Sequence, residues 1–353
     1  MPIELPSRLL ELGWTDTLQS SLDALGDASL DAARILADHG IRFLVAASSG
    51  TYAAPLATSL RKAGREIAVG DWVAVRPSDG AVVAVLERRS AISRRTSESA
   101  TKEQVLAANV DLVCIATAVD GDFNLRRLER LLTLAYQSGA DPIVVLTKAD
   151  LGDAARRRQE VETIAPGVPV VAVSAVTGCG LDELRAQLGA QRTAVLLGQS
   201  GVGKSTLVNL LAGREALRTG TLHRTGRGRH TTSHRELLQL PDGGAIIDTP
   251  GLREVQLWEG DDALEQTFGD IDDLAASCRF SDCAHAGEPG CAIAAALADG
   301  TLVPERWTSY QKLQRELAAV ERRVDQRARG QERRRWQTLQ REAQDQAAAK
   351  RLR

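Results

Sequence analysis

Apolar positions fall into three regimes along the chain. Between about Ala33 and Ile92 they come as short runs (ARILA, IRFLVAA, TYAAPLA, DWVAV, AVVAVLE) separated by Gly, Ser and a Pro-Ser-Asp-Gly turn. Short strands joined by tight turns give this pattern, and it predicts a small β-barrel. From Asp111 the pattern changes. DLVCIATAV is followed by Leu125, Leu128, Leu131, Leu132 and Ala135 at helical spacing, then by PIVVLT, a helix over about 153–164, PVVAVSA, a helix begun by Leu181, and AVLLG. Alternating strands and helices predict a mainly parallel, doubly wound sheet. ELLQL and AIIDT flank Pro-Asp-Gly-Gly at 241–244 and read as a hairpin in that sheet. The Ser/Thr/Arg-rich stretch from Arg88 to Lys102 reads as a linker. Beyond about Glu259 come helical segments, a Cys/His cluster and a tail of mixed charge at helical spacing. The expected division is 1–30 N-terminal extension, 31–95 barrel, 96–258 α/β domain, 259–322 C-terminal domain and 323–353 basic helical extension. No internal repeat of 20 to 50 residues is present.

At roughly 150 residues per domain, 353 residues suit two or three domains. A hydrophobic fraction of 43% with 25% charged residues describes a soluble globular chain and excludes wholesale disorder and fibrous repeats. With 5 Trp, 3 Tyr and 4 Phe, the cores must be built mostly from Ala, Leu and Val. No apolar run approaches the roughly 18 to 20 residues of a membrane span, and Glu4 and Glu11 stand where a signal peptide is apolar, so a cytoplasmic protein without membrane contact is expected. The net charge of −2 conceals an asymmetry. Residues 305–353 carry 14 Lys/Arg against 7 Asp/Glu, a net +7, which leaves −9 on the rest. Contact with nucleic acid must therefore use local patches.

The strongest chemical signal is Gly198-Gln199-Ser200-Gly201-Val202-Gly203-Lys204-Ser205, a full G-x-x-x-x-G-K-[ST] between the strand AVLLG and the helix STLVNLLAG. Its glycines let backbone N–H groups converge on phosphate oxygens, and the helix N-terminus that opens at Ser205 and Thr206 adds partial positive charge. Lys204 is expected to bridge the β and γ phosphates and Ser205 to ligate Mg²⁺. An ordinary glycine-rich turn would not combine all the fixed positions with both flanking elements.

Thr147-Lys148-Ala149-Asp150, ending the strand PIVVLT, resembles the [NT]-K-x-D motif of GTPases. A carboxylate there accepts from both N1–H and the N2 amino group of guanine, donors that adenine does not present together. Lys148 would lay its methylenes along the base. Ser174-Ala175, ending the next strand, stands as in the GTPase loop whose backbone meets guanine O6. A solvated strand-end turn is the competing reading of the tetrapeptide alone. Asp248-Thr-Pro-Gly251 matches D-x-x-G, in which Asp248 holds Mg²⁺ through water and the Gly251 N–H senses the γ-phosphate. For the threonine completing the Mg²⁺ shell, Thr232 is preferred to Thr231. A Ras-like water-positioning Gln is replaced by Leu252, so intrinsic turnover should be slow, and His230 is the candidate for orienting water. A solvated or RNA-facing loop histidine is the alternative.

Ordinary GTPases place the base motifs after the phosphate loop, whereas here positions 147–150 and 174–175 precede position 198. The domain is therefore expected to be circularly permuted, which is tolerable because domain termini lie close together at the surface. With Ala107-Ala-Asn-Val-Asp111 and Phe123-Asn-Leu-Arg-Arg127 added, the chain resembles the RsgA family of small-ribosomal-subunit-dependent GTPases over roughly residues 30–320. The resemblance implies an N-terminal OB-fold, a circularly permuted P-loop GTPase domain and a C-terminal helical zinc-binding domain.

Cys278, Cys283, His285 and Cys291 place four soft or borderline ligands within 14 residues, enough for a closed tetrahedral Zn²⁺ shell of structural type. Spacing alone also admits three buried thiols and a surface histidine, and the resemblance favours zinc. Cys114, in an apolar strand, is expected in the core, and Cys179 either lines the edge of the guanine pocket or has no role. Arg88-Arg89 with Arg94-Arg95, Arg224 to Arg229, and Arg333-Arg-Arg335 with Lys350-Arg-Leu-Arg353 are basic stretches suited to RNA phosphates or simply to solvent. The barrel shows no obvious aromatic stacking strip beyond Tyr52 and Trp72, and Trp72 is expected in the barrel core. The resemblance implies a monomeric enzyme that binds GTP or GDP and the small (30S) ribosomal subunit with its rRNA, and hydrolyses GTP during late assembly. The alternatives are an RNA-binding assembly factor that uses GTP only as a conformational ligand, and a P-loop ATPase with unrelated partners.

Overall fold

A computed structural model describes residues 7–64, 66–96, 99–120, 123–213, 235–248, 261–319 and 322. Two short helices, α1 (Ser7–Glu11) and α2 (Asp16–Asp23), come first. Thr15 caps α2 by accepting from the Leu18 N–H, and Leu18 and Leu22, one turn apart, are buried beside Leu9, Leu12 and Trp14.

The barrel strands are β1 (Asp31–Asp38), β2 (Arg42–Ala47), β3 (Gly50–Pro55), β4 (Trp72–Arg76) and β5 (Ala81–Val85), with the one-turn helix α3 (Thr58–Lys62) between β3 and β4. They pair antiparallel in the order β3-β2-β1-β4-β5, and a bridge from Leu56 to Val82 brings the two ends together. Ile35, Val45, Val73, Val75 and Val82 fill the interior. Trp72 departs from expectation. It is buried to 1% exposure, but strand alternation puts it on the opposite face from Val73 and Val75, against Trp14 edge-on at 4.9 Å. Trp72 is thus core of the joint between barrel and N-terminal helices, not of the barrel.

The stretch expected as a linker is instead two strands. β6 (Ala91–Thr96) and β7 (Ser99–Ala108) pair antiparallel, Ile92 with Ala107 and Arg94 with Gln104. The expected boundary at 95/96 therefore falls inside a hairpin. Polar composition concealed it, because the buried residues among those described, Ile92 and Val105 to Ala108, lie toward its ends.

The main sheet follows: β8 (Leu112–Ala118), α4 (Leu125–Gln137), β9 (Asp141–Thr147), α5 (Ala154–Ile164), β10 (Val170–Val173), α6 (Leu181–Leu188), β11 (Thr193–Gly198), α7 (Lys204–Ala212), β12 (Glu236–Gln239) and β13 (Ala245–Asp248). Its order is β10-β9-β8-β11-β13-β12, parallel except for the β12–β13 hairpin, and the Ala37–Glu236 bridge continues it into β1. Alternation divides the faces. Val195, Leu197, Val113, Ile115 and Val144 bury against α4 and α5, whereas Leu196, Cys114, Ile143 and Val145 bury against α6 and α7. Cys114 is core as expected, and burial pushes its thiol up to about 12.

After the sheet come α8 (Asp261–Ala276), kinked at Phe268, then α9 (Ala292–Asp299) and α10 (304–319). Leu264, Phe268, Ile271, Leu313 and Leu317 join the same core as α4. Among the described residues, no helix is long and apolar enough to cross a membrane.

Arg34 of β1 fastens three of these parts. Its guanidinium is 1% exposed and lies 5.0 Å from the Trp72 ring centre, donating to the carbonyls of Leu12, Gly70 (3.4 Å) and Asn109 (3.1 Å). Burial lowers its pKa to about 10 despite the opposing charge of Asp111. Asn109, at φ 52, donates to the Gly70 carbonyl, and Asp111 accepts from the Thr193 N–H at the start of β11. Gly70, at φ 92, could not carry a methyl without striking the Ala108 carbonyl. The Ala107–Asp111 stretch is therefore the seam between barrel and sheet. Arg34→Met should cost about 3 kcal/mol of stability, because the Leu12 and Asn109 carbonyls lose their donor and the Gly70 carbonyl keeps only that of Asn109. Urea unfolding checks this, and Arg34→Lys should recover part of the loss.

Candidate functional site

The loop after β11 is shaped by its glycines. Gly198 (φ 145) pairs with Ala116 of β8, whose carbonyl a methyl at 198 would strike, and Gly201 (φ 81) and Gly203 (φ 98) also adopt left-handed conformations. α7 opens at Lys204 with Gly203 as its N-cap and no side-chain cap, so its first N–H groups face the loop. Lys204 Nζ folds over the loop, donating to the carbonyls of Gly198 (2.6 Å) and Gln199 (2.7 Å). Val202 is buried, whereas Gln199, Ser200, Gly201, Ser205 and Thr206 are exposed. Loop amides, an ammonium and a helix N-terminus together can bind a polyphosphate.

The base motifs meet this loop. Thr147, 6% exposed, donates from Oγ1 to the Val202 carbonyl at 2.7 Å and so ties the end of β9 to the phosphate loop. Lys148 is left-handed (φ 55, ψ 40), and Ala149 and Asp150 form a 3₁₀ turn. Asp150 Oδ1 accepts from Ser174 Oγ at 2.6 Å, and Ser174 Oγ in turn accepts from the N–H groups of Val176 and Thr177. The buried Ser174 therefore sets the Asp150 carboxylate, while Ala175 and Cys179 lie exposed on the same loop.

Asp248 ends β13, next to β11 in the sheet. Burial raises its pKa, with Glu236 adding to the rise and Lys204 opposing it. A largely buried carboxylate within reach of the Lys204 charge at the start of α7 is a ligand suited to a hard dication such as Mg²⁺. Thr231, Thr232, His230, Gly251, Leu252, Arg224 to Arg229, Arg333 to Arg335 and Lys350 to Arg353 lie outside the described residues.

Cys278, Cys283, His285 and Cys291 place their ligand atoms within 4.8 Å of one another, so the group can hold a metal ion. His285 Nδ1 lies 3.6 Å from Cys278 Sγ and 3.5 Å from Cys291 Sγ. Cys291 also caps α9, accepting from Ala294 N–H, while Ala292 N–H points at Cys278 Sγ. Desolvation opposes ionisation of Cys278, but the Ala292 and Ile293 N–H groups and the neighbouring thiols lower its pKa. Cys283 is pushed up to about 11: the His285 N–H favours its thiolate, but desolvation and the other two sulfurs outweigh it. The neighbouring sulfurs thus drive Cys278 and Cys283 in opposite directions, and a cation seated among them would relieve the repulsion that raises Cys283. Glu288 braces the loop by accepting from the N–H groups of Ala284 and Ala286.

Comparison with known proteins agrees with this arrangement. The family model described as RsgA GTPase matches residues 85–258. The chain is 47% identical over 350 residues to the small ribosomal subunit biogenesis GTPase RsgA of Opitutus terrae, covering 94% of this chain and 95% of that one. The chain belongs to the RsgA GTPase family. Among solved structures, YjeQ from Thermotoga maritima superposes with a TM-score of 0.62 at 28% identity, over 82% of this chain and 99% of that one. YloQ, described as a circularly permuted GTPase, gives 0.58 at 24% identity over 84% and 96%. The permutation expected from motif order is the observed fold: in this RsgA-family chain, β8, β9 and β10 precede β11 in sequence and form one half of its sheet, with β8 paired to β11.

Sequence reading missed two features. α4 reaches both the loop and the C-terminal helices: Asn124 and Arg127 line a small cleft with Gln199 and Ser200, and Glu129, Arg130 and Thr133 bond to Arg306 (2.9 Å), Glu316 (2.6 Å) and Thr267 (3.1 Å). Arg306, 6% exposed, also holds Asp270 and lies 4.9 Å from the Phe268 ring. Glu129 stands four residues after Leu125, on the apolar stripe, and that misfit was the available signal. The second feature is Asp120, at the end of β8, which bonds Lys148.

Thr147→Val keeps the shape but drops the tie to Val202, and should weaken GDP binding about tenfold with little change in thermal midpoint, measurable by calorimetry. Cys283→Ser should abolish metal uptake and expose α8 to α10 to protease while sparing β8 to β11. Limited proteolysis after chelation checks this, and a digestion pattern indifferent to metal would contradict it.

Proposed function

We propose that this chain is a cytoplasmic, monomeric GTPase that binds the small ribosomal subunit and its rRNA late in assembly, hydrolyses GTP to GDP and phosphate, and leaves on hydrolysis. The observation that carries the reading is the Thr147–Val202 hydrogen bond at 2.7 Å with the Asp150–Ser174 pair beside it, which sets a guanine-reading carboxylate alongside a phosphate cradle. The family supports the hydrolase activity, and the names of its relatives support the ribosomal role.

In this reading Thr147, Lys148, Ala149, Asp150, Ser174 and Ala175 take the guanine, and residues 198–206 take the phosphates. Lys204 leaves the Gly198 and Gln199 carbonyls to bridge the β and γ oxygens. Ser205, Thr232 and Asp248 are the residues to hold Mg²⁺, which when bound neutralises charge between the phosphates. The Gly251 N–H senses the γ-phosphate, and His230 orients water for in-line attack once a partner orders its loop. A structural Zn²⁺ in the Cys278, Cys283, His285 and Cys291 cluster stiffens the domain that α4 joins to the phosphate loop.

Leu252 in place of a water-positioning Gln favours a second reading, in which GTP is a conformational ligand with negligible turnover. Phosphate release with and without purified small subunits decides between them. Stimulation of at least tenfold, lost in Lys204→Ala, is expected, and a rate unmoved by subunits would leave only the second reading.

A further inference from the structure

We propose that Asp120 is a positioning residue for guanine recognition, holding the Lys148 side chain in place at the base site. The inference rests on the guanine reading of Thr147 to Asp150.

Lys148 is constrained at both ends. Its backbone is held left-handed between β9 and the 3₁₀ turn, with its carbonyl accepting from the Leu151 N–H at 2.9 Å. At the far end, Nζ donates to Asp120 Oδ2 at 3.0 Å. Asp120 belongs to the neighbouring β8 end, itself fixed by Val119 N–H donating to the Thr147 carbonyl and Phe123 N–H donating to the Asp120 carbonyl, each at 3.1 Å. The lysine stem therefore spans the gap between two loops that are hydrogen-bonded to each other. Both charged groups are about one-third exposed, 34% and 29%, so the pair adds little to folding stability. Its effect is on binding. An untethered lysine samples many rotamers and must be ordered when its methylenes cover a base, whereas Lys148 is already ordered before the nucleotide arrives.

The expected result is specific. Asp120→Ala in the full chain should weaken fluorescent GDP and GTP by the same factor, about five- to tenfold, because the phosphate contacts are untouched. Asp120→Glu should restore part of the affinity. In a Lys148→Ala background the same Asp120→Ala change should be silent, and the thermal midpoint should hold in every variant. An affinity within twofold of the unaltered chain, or an equal loss with Lys148 already removed, overturns the inference while leaving guanine recognition intact. If Asp150→Asn leaves GDP affinity unchanged and ADP binds as tightly as GDP, the guanine reading itself falls, and Asp120 with it.

Discussion

The parallel pairing of β8 with β11, Gly198 opposite Ala116, is the contact on which the rest of the nucleotide site depends. From β8 the chain winds outward in one direction through β9 to β10, and from β11 it crosses in the other direction to β12 and returns by the hairpin to β13, beside β11. The crevice where winding reverses lies between these two strands, at their carboxyl ends, and open parallel sheets bind ligands there because loops from both halves diverge around it. Permutation leaves this geometry untouched. It moves the chain break without moving a strand, so the base motifs arrive before the phosphate loop in sequence and beside it in space.

Two buried arginines hold the other parts to this sheet, by different chemistry. Arg34 is satisfied by backbone carbonyls from three segments, which makes it a sensor of their mutual position more than a charge partner. Arg306 is satisfied by carboxylates, Glu129 at 2.9 Å and Asp270, so it joins α10 and α8 to α4 through ionic bonds as well as apolar packing. A buried charge of either kind is costly to leave unpaired, so each joint favours one docking geometry over loosely related ones. Since α4 also lines the cleft behind Gln199 and Ser200, the Cys/His end of the molecule and the phosphate loop share one rigid element.

The Cys/His group that can hold a metal ion shows the same economy at shorter range. Its four candidate ligands lie within one irregular loop, but the loop is stiffened from outside. Trp307 packs edge-on to the His285 ring at 5.7 Å and stacks on Tyr310, whose hydroxyl donates to Asp272 of α8. Ligand geometry is therefore tied to the helices that dock on α4.

What the sequence by itself determined was the GTPase family, the permuted order and nearly every strand and helix of the α/β region, and it gathered into one short segment the Cys/His group that can hold a metal ion. These were legible because backbone propensity, side-chain periodicity and functional-group spacing act over a few neighbouring residues. Tertiary structure alone decided that Trp72 faces the N-terminal helices, that a polar stretch pairs as β6 and β7, that Arg34 and Arg306 are buried, and that Asp120 meets Lys148. Each of these depends on residues far apart in the chain, whose desolvation and pairing are settled only when separate elements pack, and no local pattern carries that information.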